Sequence, residues 1–414
     1  MSGAREVLHQ RAVRRYLFSS AFGSIGLNLM VTVMFKQAYD ITGDELTIGL
    51  LGLAQFIPAI LLVLVSGWVA DRFDRRRVSA LFIFARGLCA LALALYSAKD
   101  PTNVWPMFAI AAAVGAAEAM LAPARRSIPP LISTQEQFPH VIALWTATFT
   151  GAAIIGPVLG GFLYTVGPAA AYVVAAVMEV LAIAPVLMIQ YIRNPERMTD
   201  RPTMSKALEG LHFVIHTPIV LAAISLDLFA VLFGGAVALI PAVAEEQLHV
   251  GDIAYGWLRA APGIGAATMA VVLAVAPIRR RVGATLLVVV AIFGAGTIVF
   301  GLTSSYAVAF IALVVISAAD MVSMFIRGSL VPLATPQEQL GRVTAVEGVF
   351  IGASNELGAF ESGVAARAFG LPWSIAAGGM MTLLVASSFA WLFPSLREID
   401  SFDEVRPVEP ASAV

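Results

Sequence analysis

The 414-residue sequence has a single cysteine, Cys89, and only 13 % of its residues are charged. One thiol inside an apolar run excludes a disulfide framework and a cysteine metal cluster, and reads as a small packing residue. The five histidines (His9, His140, His212, His216, His249) lie near the ends of apolar runs or in polar stretches and form no cluster. No serine nucleophile elbow and no phosphate-cradling glycine loop is present, which argues against a membrane-embedded enzyme. No catalytic residue, metal or other cofactor is expected, and no nucleic-acid partner. Nor is a cleavable leader visible. Arg5, Arg11, Arg14 and Arg15 run into an apolar stretch without a small-residue cleavage site, so the first helix is expected to be retained.

What is abundant is apolar sequence, 59 % of the chain. A hydrocarbon core about 30 Å thick takes about 20 apolar residues per crossing. Twelve such spans are expected, over residues 16–38, 48–70, 78–97, 104–122, 138–165, 168–190, 214–242, 253–276, 284–302, 305–326, 343–366 and 372–393. Of the 26 Lys and Arg, all but Lys36, Arg86, Lys99, Arg259 and Arg367 fall on one side of that arrangement. Asp40, Asp44, Glu45, Glu245, Glu246 and Asp252 fall on the other. Because Lys and Arg are held back on the cytoplasmic side, both termini are expected there.

The chain repeats itself. Arg125-Arg-Ser-Ile-Pro-Pro-Leu aligns with Arg327-Gly-Ser-Leu-Val-Pro-Leu, and Gln135-Glu-Gln137 returns as Gln337-Glu-Gln339. Duplication of this kind relates two halves by an axis along the membrane normal. The expected domains are a six-helix half over 1–190, a polar linker over 191–213 ending in a short amphipathic helix, and a second half over 214–396. An acidic tail over 397–414 is expected to be disordered.

The segment Gly67-Trp-Val-Ala-Asp71-Arg72-Phe-Asp74-Arg75-Arg76-Arg77 joins spans two and three. It resembles the Gly-x-Leu-Ala-Asp-Arg-x-Gly-Arg-Arg signature of the major facilitator superfamily, with Val69 for Leu and Asp74 for Gly. Span five holds Gly156-Pro157-x-x-Gly160-Gly161, which resembles the antiporter signature of exporting facilitators, although Ala143 and Ala152 replace two upstream glycines. Together with the Pro123-Ala-Arg-Arg-Ser-Ile-Pro-Pro-Leu loop, these motifs are similar to the enterobactin-exporter and multidrug-efflux branch. The resemblance implies an all-α membrane protein: twelve transmembrane helices in two six-helix, pseudo-symmetric halves. It also implies a latch in which Asp71 meets the N-terminus of span eleven, tuned by Arg72, Arg75 and Arg76 about Gly67. The plainer reading of those arginines is that they fix orientation alone.

Charge at the bilayer centre costs about 2.5–3.5 kcal/mol on insertion scales, so buried ionisable residues need a reason. Glu118 and Asp320 occupy equivalent places in spans four and ten, each seven residues before an arginine, Arg125 or Arg327. They read either as proton- or substrate-linked carboxylates or as anchors of their helix ends. Asp227 falls near mid-depth in span seven and is expected in a cavity. In span eleven Asn355 and Glu356 are cavity candidates beside Glu361, as is Asn28 in span one, for which a helix hydrogen bond serves equally well. Arg86 and Glu179 read as structural supports of spans three and six. Arg259 suits an anion or a snorkelling stem. Gly156 and its motif also read as helix packing alone.

With these residues, the resemblance implies a proton-coupled, alternating-access exporter of amphipathic small molecules, drugs or a siderophore. Its partners are that substrate, protons and membrane lipids, and it is expected to work as a monomer. A multi-pass place in a bacterial inner membrane suits a compact chain without long loops. An importer or lipid-handling facilitator on the same scaffold is the alternative, with a non-transporting receptor behind it.

Overall fold

The computed structural model describes residues 2–192 and 204–407 and is almost wholly helical. We number the long helices α1 (Arg11–Thr42), α2 (Glu45–Arg72), α3 (Arg75–Ser97), α4 (Trp105–Arg126), α5 (Phe138–Tyr164) and α6 (Pro168–Leu187). The series continues with α7 (Pro218–Phe233), α8 (Asp252–Val275), α9 (Val282–Leu302), α10 (Tyr306–Ala334), α11 (Gln337–Phe369) and α12 (Leu371–Leu392). Turn chemistry sets the boundaries. Gly43 closes α1 in the left-handed region (φ 58°), and the Asp44 carboxylate then accepts the Leu46 N–H at 3.0 Å to open α2. Gly167 (φ 139°) precedes Pro168 in the first turn of α6, and Gly370 (φ 84°) makes the same kind of entry into α12.

Eleven helices among the described residues are long and apolar enough to cross a membrane. The expected span 343–366 lies within α11, which falls outside that set because Glu338, Arg342, Glu347, Glu356, Glu361 and Arg367 interrupt it. Span seven also departs from expectation. It is not one helix over 214–242: a separate helix, Met204–His216, ends before α7 starts at Pro218. Beyond α7 the chain continues as a 3-10 turn (Gly235–Leu239) and a π turn (Val243–Gln247). A Cβ on Gly234 would lie 2.3 Å from the Phe293 ring, and one on Gly235 would lie 2.5 Å from the Gly358 backbone. The break lets the chain press against two neighbours at once.

The chain divides into two compact units, Met1–Pro202 with Val250–Gly263, and Thr203–His249 with Ile264–Val414, so that α8 contributes to both. Helix pairing within the units bears the mark of duplication. In the first, α1 packs on α5 and α6, and α3 on α4 and α6. In the second, α7 packs on α11 and α12, and α9 on α10 and α12. The repeated loop is less faithful. Pro129 and Pro130 end α4 at Arg126 and start a short helix (Pro129–Ile132), whereas the single Pro332 lets α10 run on to Ala334.

Each unit has its own apolar core. Val13, Ile83, Leu121 and Val186 are buried together in the first, and Leu226, Leu286, Ile326 and Phe389 in the second. The outward faces are also apolar, with Leu61, Val271, Leu384 and Trp391 exposed, as lipid contact requires. Of the expected linker, residues 193–203 lie outside the described residues; its closing helix is Met204–His216. The tail corrects the expectation of disorder. A turn of helix (Pro394–Arg397) and a 3-10 turn (Phe402–Glu404) bring Leu396 and Ile399 into the core of the second unit. Residues 408–414 lie outside the described residues.

Candidate functional sites: two buried charge clusters

The first unit holds a four-member ion network, enclosed except at Glu118, whose side chain is 30 % exposed. Arg86 of α3, fully enclosed, hydrogen-bonds Glu179 of α6 at 2.8 Å, Glu118 of α4, and the Gly23 carbonyl of α1 at 3.1 Å. Arg125 closes the set, reaching Glu118 at 3.1 Å across two turns of its own helix. Two arginines face two carboxylates, so the cluster is balanced in formal charge. Beside it lies a cavity of about 10 Å³ lined by Tyr16, Ser79, Arg86 and Arg125, about the space one water occupies. The pairing of Glu118 with Arg125 follows the sequence spacing. Arg86 and Glu179 pair with each other, as supports of α3 and α6 can, and Arg86 also ties them to the Glu118 carboxylate.

The second unit breaks the symmetry. Arg327, the counterpart of Arg125, does not pair with Asp320. Its guanidinium turns to Asp227 of α7 at 2.7 Å, while its Nε donates to Ser323 at 3.2 Å. Asp227, Asp320 and Ser323 line one cavity of about 10 Å³ with Phe293 and Val290. Among the described residues Asp320 has no ion pair of its own. Three carboxylates, Asp227, Asp320 and Glu347 of α11, therefore lie within reach of the Arg327 charge, and only Asp227 is ion-paired with it.

The signature loop is held by the residue that departs from the family pattern. Asp74 caps α3, accepting the Arg76 N–H at 2.9 Å, and binds the Arg76 guanidinium through both oxygens. Arg76 stacks 4.6 Å from the Tyr191 ring and donates to the Ile189 carbonyl at 2.8 Å, while Tyr191 donates to Asp74 at 3.3 Å. The Arg76 hydrogen bonds hold the Asp74 carboxyl below the usual carboxylate range. Burial, and then the Asp74 charge, push the Tyr191 phenol up to about 12. Arg76 is thus committed to a staple onto the end of α6. Asp71 stays 39 % exposed, with Arg75 4.0 Å away, and Arg72 lies over the Trp68 ring. Gly67 faces open space.

The glycine motif of α5 is a packing surface. A Cβ on Gly156 would lie 2.6 Å from the Asn28 Cβ, and one on Gly161 would lie 2.4 Å from the Asp252 carbonyl. Gly160 is less tight, at 3.4 Å from the Leu29 carbonyl, and Pro157 sits inside the helix. Asn28 donates to the Ser24 carbonyl and Asn355 to the Ile351 carbonyl, each one turn back at 2.8 Å. Glu356 and Glu361 are half-buried on α11, and Arg259 lies over the Phe35 ring at 5.7 Å.

Two clusters escaped sequence reasoning as sites. Lys36 pairs with Asp40, which also accepts the Tyr164 hydroxyl at 2.5 Å. The i, i+4 spacing of Lys36 and Asp40 was the available signal. The Asp74–Arg76–Tyr191 staple had none beyond the departure from glycine.

Comparison with known proteins gives the same lineage. The chain is 25 % identical to the multidrug efflux pump Tap of Mycolicibacterium fortuitum over 404 residues, 93 % of this chain and 96 % of that one. It is 24 % identical to the MFS-type transporter YfiS of Bacillus subtilis over 309 residues, 72 % of this chain and 70 % of that one. In fold it matches a bacterial homologue of the human lysosomal transporter Spinster, with a TM-score of 0.72 at 16 % identity, over 97 % of this chain and all of the other. The profile of the Major Facilitator Superfamily covers residues 16–354, so the signature loop, the duplicated halves and the matching fold have one source: the chain belongs to that superfamily of multi-pass membrane transporters.

Proposed function

We propose that the protein is a proton-coupled exporter of amphipathic small molecules, drugs or a siderophore, across a bacterial inner membrane with both termini in the cytoplasm. The observation that carries the coupling is the inequality of the two buried clusters. Glu118 and Glu179 are matched by Arg86 and Arg125, whereas Arg327 is taken by Asp227 and leaves Asp320 without an ion pair among the described residues. An acid without a counter-charge is costly inside a membrane, and a proton is the smallest charge that offsets it. A proton and a substrate that favour opposite states through such a site exchange instead of leaking. Export is supported by the partial glycine signature of α5 and by the full-length similarity to Tap. Asp71, exposed at the end of α2, remains available for the latch that the family signature implies.

The test uses inside-out vesicles with an acidified lumen, to which cationic dyes, antibiotics and siderophores are added in turn. Luminal alkalinisation by one class, absent in Asp227→Asn, is the expected result. Silence across the panel with folded protein present would overturn export and favour an importer or a lipid-handling facilitator.

A further inference from the structure

Helix α3 starts on the signature loop and is capped by Asp74 from within that loop. Its counterpart α9 follows Arg279-Arg280-Arg281, where Ile278 stands in the place of Asp74. Arg281 occupies the N-cap position with a left-handed backbone (φ 54°) and no side-chain cap of its own. Non-glycine residues held there cost about 1–3 kcal/mol, and the first amides of a helix need acceptors from outside it.

Those acceptors come from the tail. The Arg281 N–H donates to the Asp400 carboxylate at 3.1 Å, from 119 residues further along the chain. The Val282 N–H donates to the Asp400 carbonyl at 3.2 Å and the Gly283 N–H to the Ile399 carbonyl at 3.0 Å. A Cβ on Gly283 would lie 1.7 Å from the Leu396 carbonyl, so only glycine admits the approach. The Glu404 carboxylate accepts the Asp400 N–H at 3.2 Å, and the Phe402 ring meets Phe325 of α10 edge-on.

We propose that residues 394–405 are a detachable cap that completes the second copy of the signature. The tail does for α9 what Asp74 does for α3, with the Asp400 carboxylate on the Arg281 N–H and two main-chain carbonyls on the next two amides, but from a segment able to leave. The footprint favours release. Leu396 and Ile399 are buried, Phe402 and Val405 are half-buried, and Glu398, Asp400, Asp403 and Glu404 face outward. Segments with few buried apolar contacts open locally, well below the cost of global unfolding. Release strips three amides of their acceptors and frees the Arg279–Arg281 loop, so the state of the tail sets the order of that loop.

Amide hydrogen exchange on the purified full-length protein tests this without reference to any substrate. In the wild type, amides of 399–405 should exchange much faster than those of 288–300 in α9. Asp400→Ala should speed exchange at 281 by about fivefold, as loss of a cap does, with less effect at 282 and 283, and ending the chain at Arg397 should speed all three. Arg281→Asp in the shortened chain supplies an acid in place and should restore part of the protection. Unchanged exchange at 281–283 in the shortened chain overturns the proposal. So does loss of protection throughout α9 and α10, which would make the tail a core element and not a detachable one.

Discussion

Arg327 pairs with Asp227, 100 residues back in the chain, and not with Asp320, two turns away on its own helix. Both partners are almost fully buried, so removing one leaves an uncompensated charge. Arg327→Ala should cost about 3–5 kcal/mol, read by equilibrium unfolding in mixed SDS micelles. Adding Asp227→Ala should return part of the loss, whereas adding Asp320→Ala should return less. Equal recovery by the two acids would show that the arginine favours neither.

Arg86 differs in holding two acids by direct ion pairs, Glu118 and Glu179. Arg86→Ala should also cost about 3–5 kcal/mol, because it strands Glu179 inside the first unit. The pair Arg86→Met with Glu179→Met removes both charges and leaves Glu118 matched to Arg125. Buried ion pairs replaced by apolar residues of similar size are often neutral, so the double variant should unfold within about 1 kcal/mol of wild type. A double variant no better than Arg86→Ala would mean that Glu118 depends on Arg86 itself.

Much of this architecture was legible in the sequence, and its failures have physical reasons. Apolar runs located the spans because lipid admits few alternatives to a helix. The repeat aligns Arg125 with Arg327, but equivalence along the chain does not choose partners in space. Asp227 lies on a different helix, and nothing in the spacing of Asp320 and Arg327 announces it. Span eleven counts as an apolar run only while Glu347, Glu356 and Glu361 are taken singly; together they keep α11 out of the membrane-length apolar set. The tail misled through composition. Acidic and proline-containing, it reads as disordered, yet Leu396, Ile399, Phe402 and Val405 recur every third residue and all turn to one core. That spacing was the missed signal.

The staple under the signature loop predicts a pH dependence. The pKa of Asp74 is depressed in the folded protein, so its contribution is present above the unfolded carboxylate value of about 3.9 and is lost as pH falls through the folded one. Asp74→Gly, the residue usual in the family signature, should lower stability at neutral pH by a few tenths of a kcal/mol through the lost cap, and by up to about 1 kcal/mol with the Arg76 ion pair lost as well. The gap between wild type and variant should hold from pH 8 to 5 and close only below about pH 4, as seen in unfolding curves across that range. A gap that closes near pH 6 would assign the effect to another group.

Glycines of α5 provide a graded series within one helix. Gly151 faces open space, Gly160 has ordinary contact, and Gly156 and Gly161 have none to spare. Gly151→Ala should be neutral or slightly stabilising, since alanine favours helix by about 1 kcal/mol. Gly156→Ala meets the Asn28 side chain and two backbone atoms of α1, and should lower the apparent melting temperature of the detergent-solubilised protein. Gly161→Ala meets only backbone, the Asp252 carbonyl and Gly256, which has no side chain to move aside. It should therefore be the most damaging, with a loss of about 1–3 kcal/mol as for overpacking elsewhere. If Gly156→Ala and Gly161→Ala keep full stability but lose transport, the close approach serves movement between states and not the cohesion of the unit.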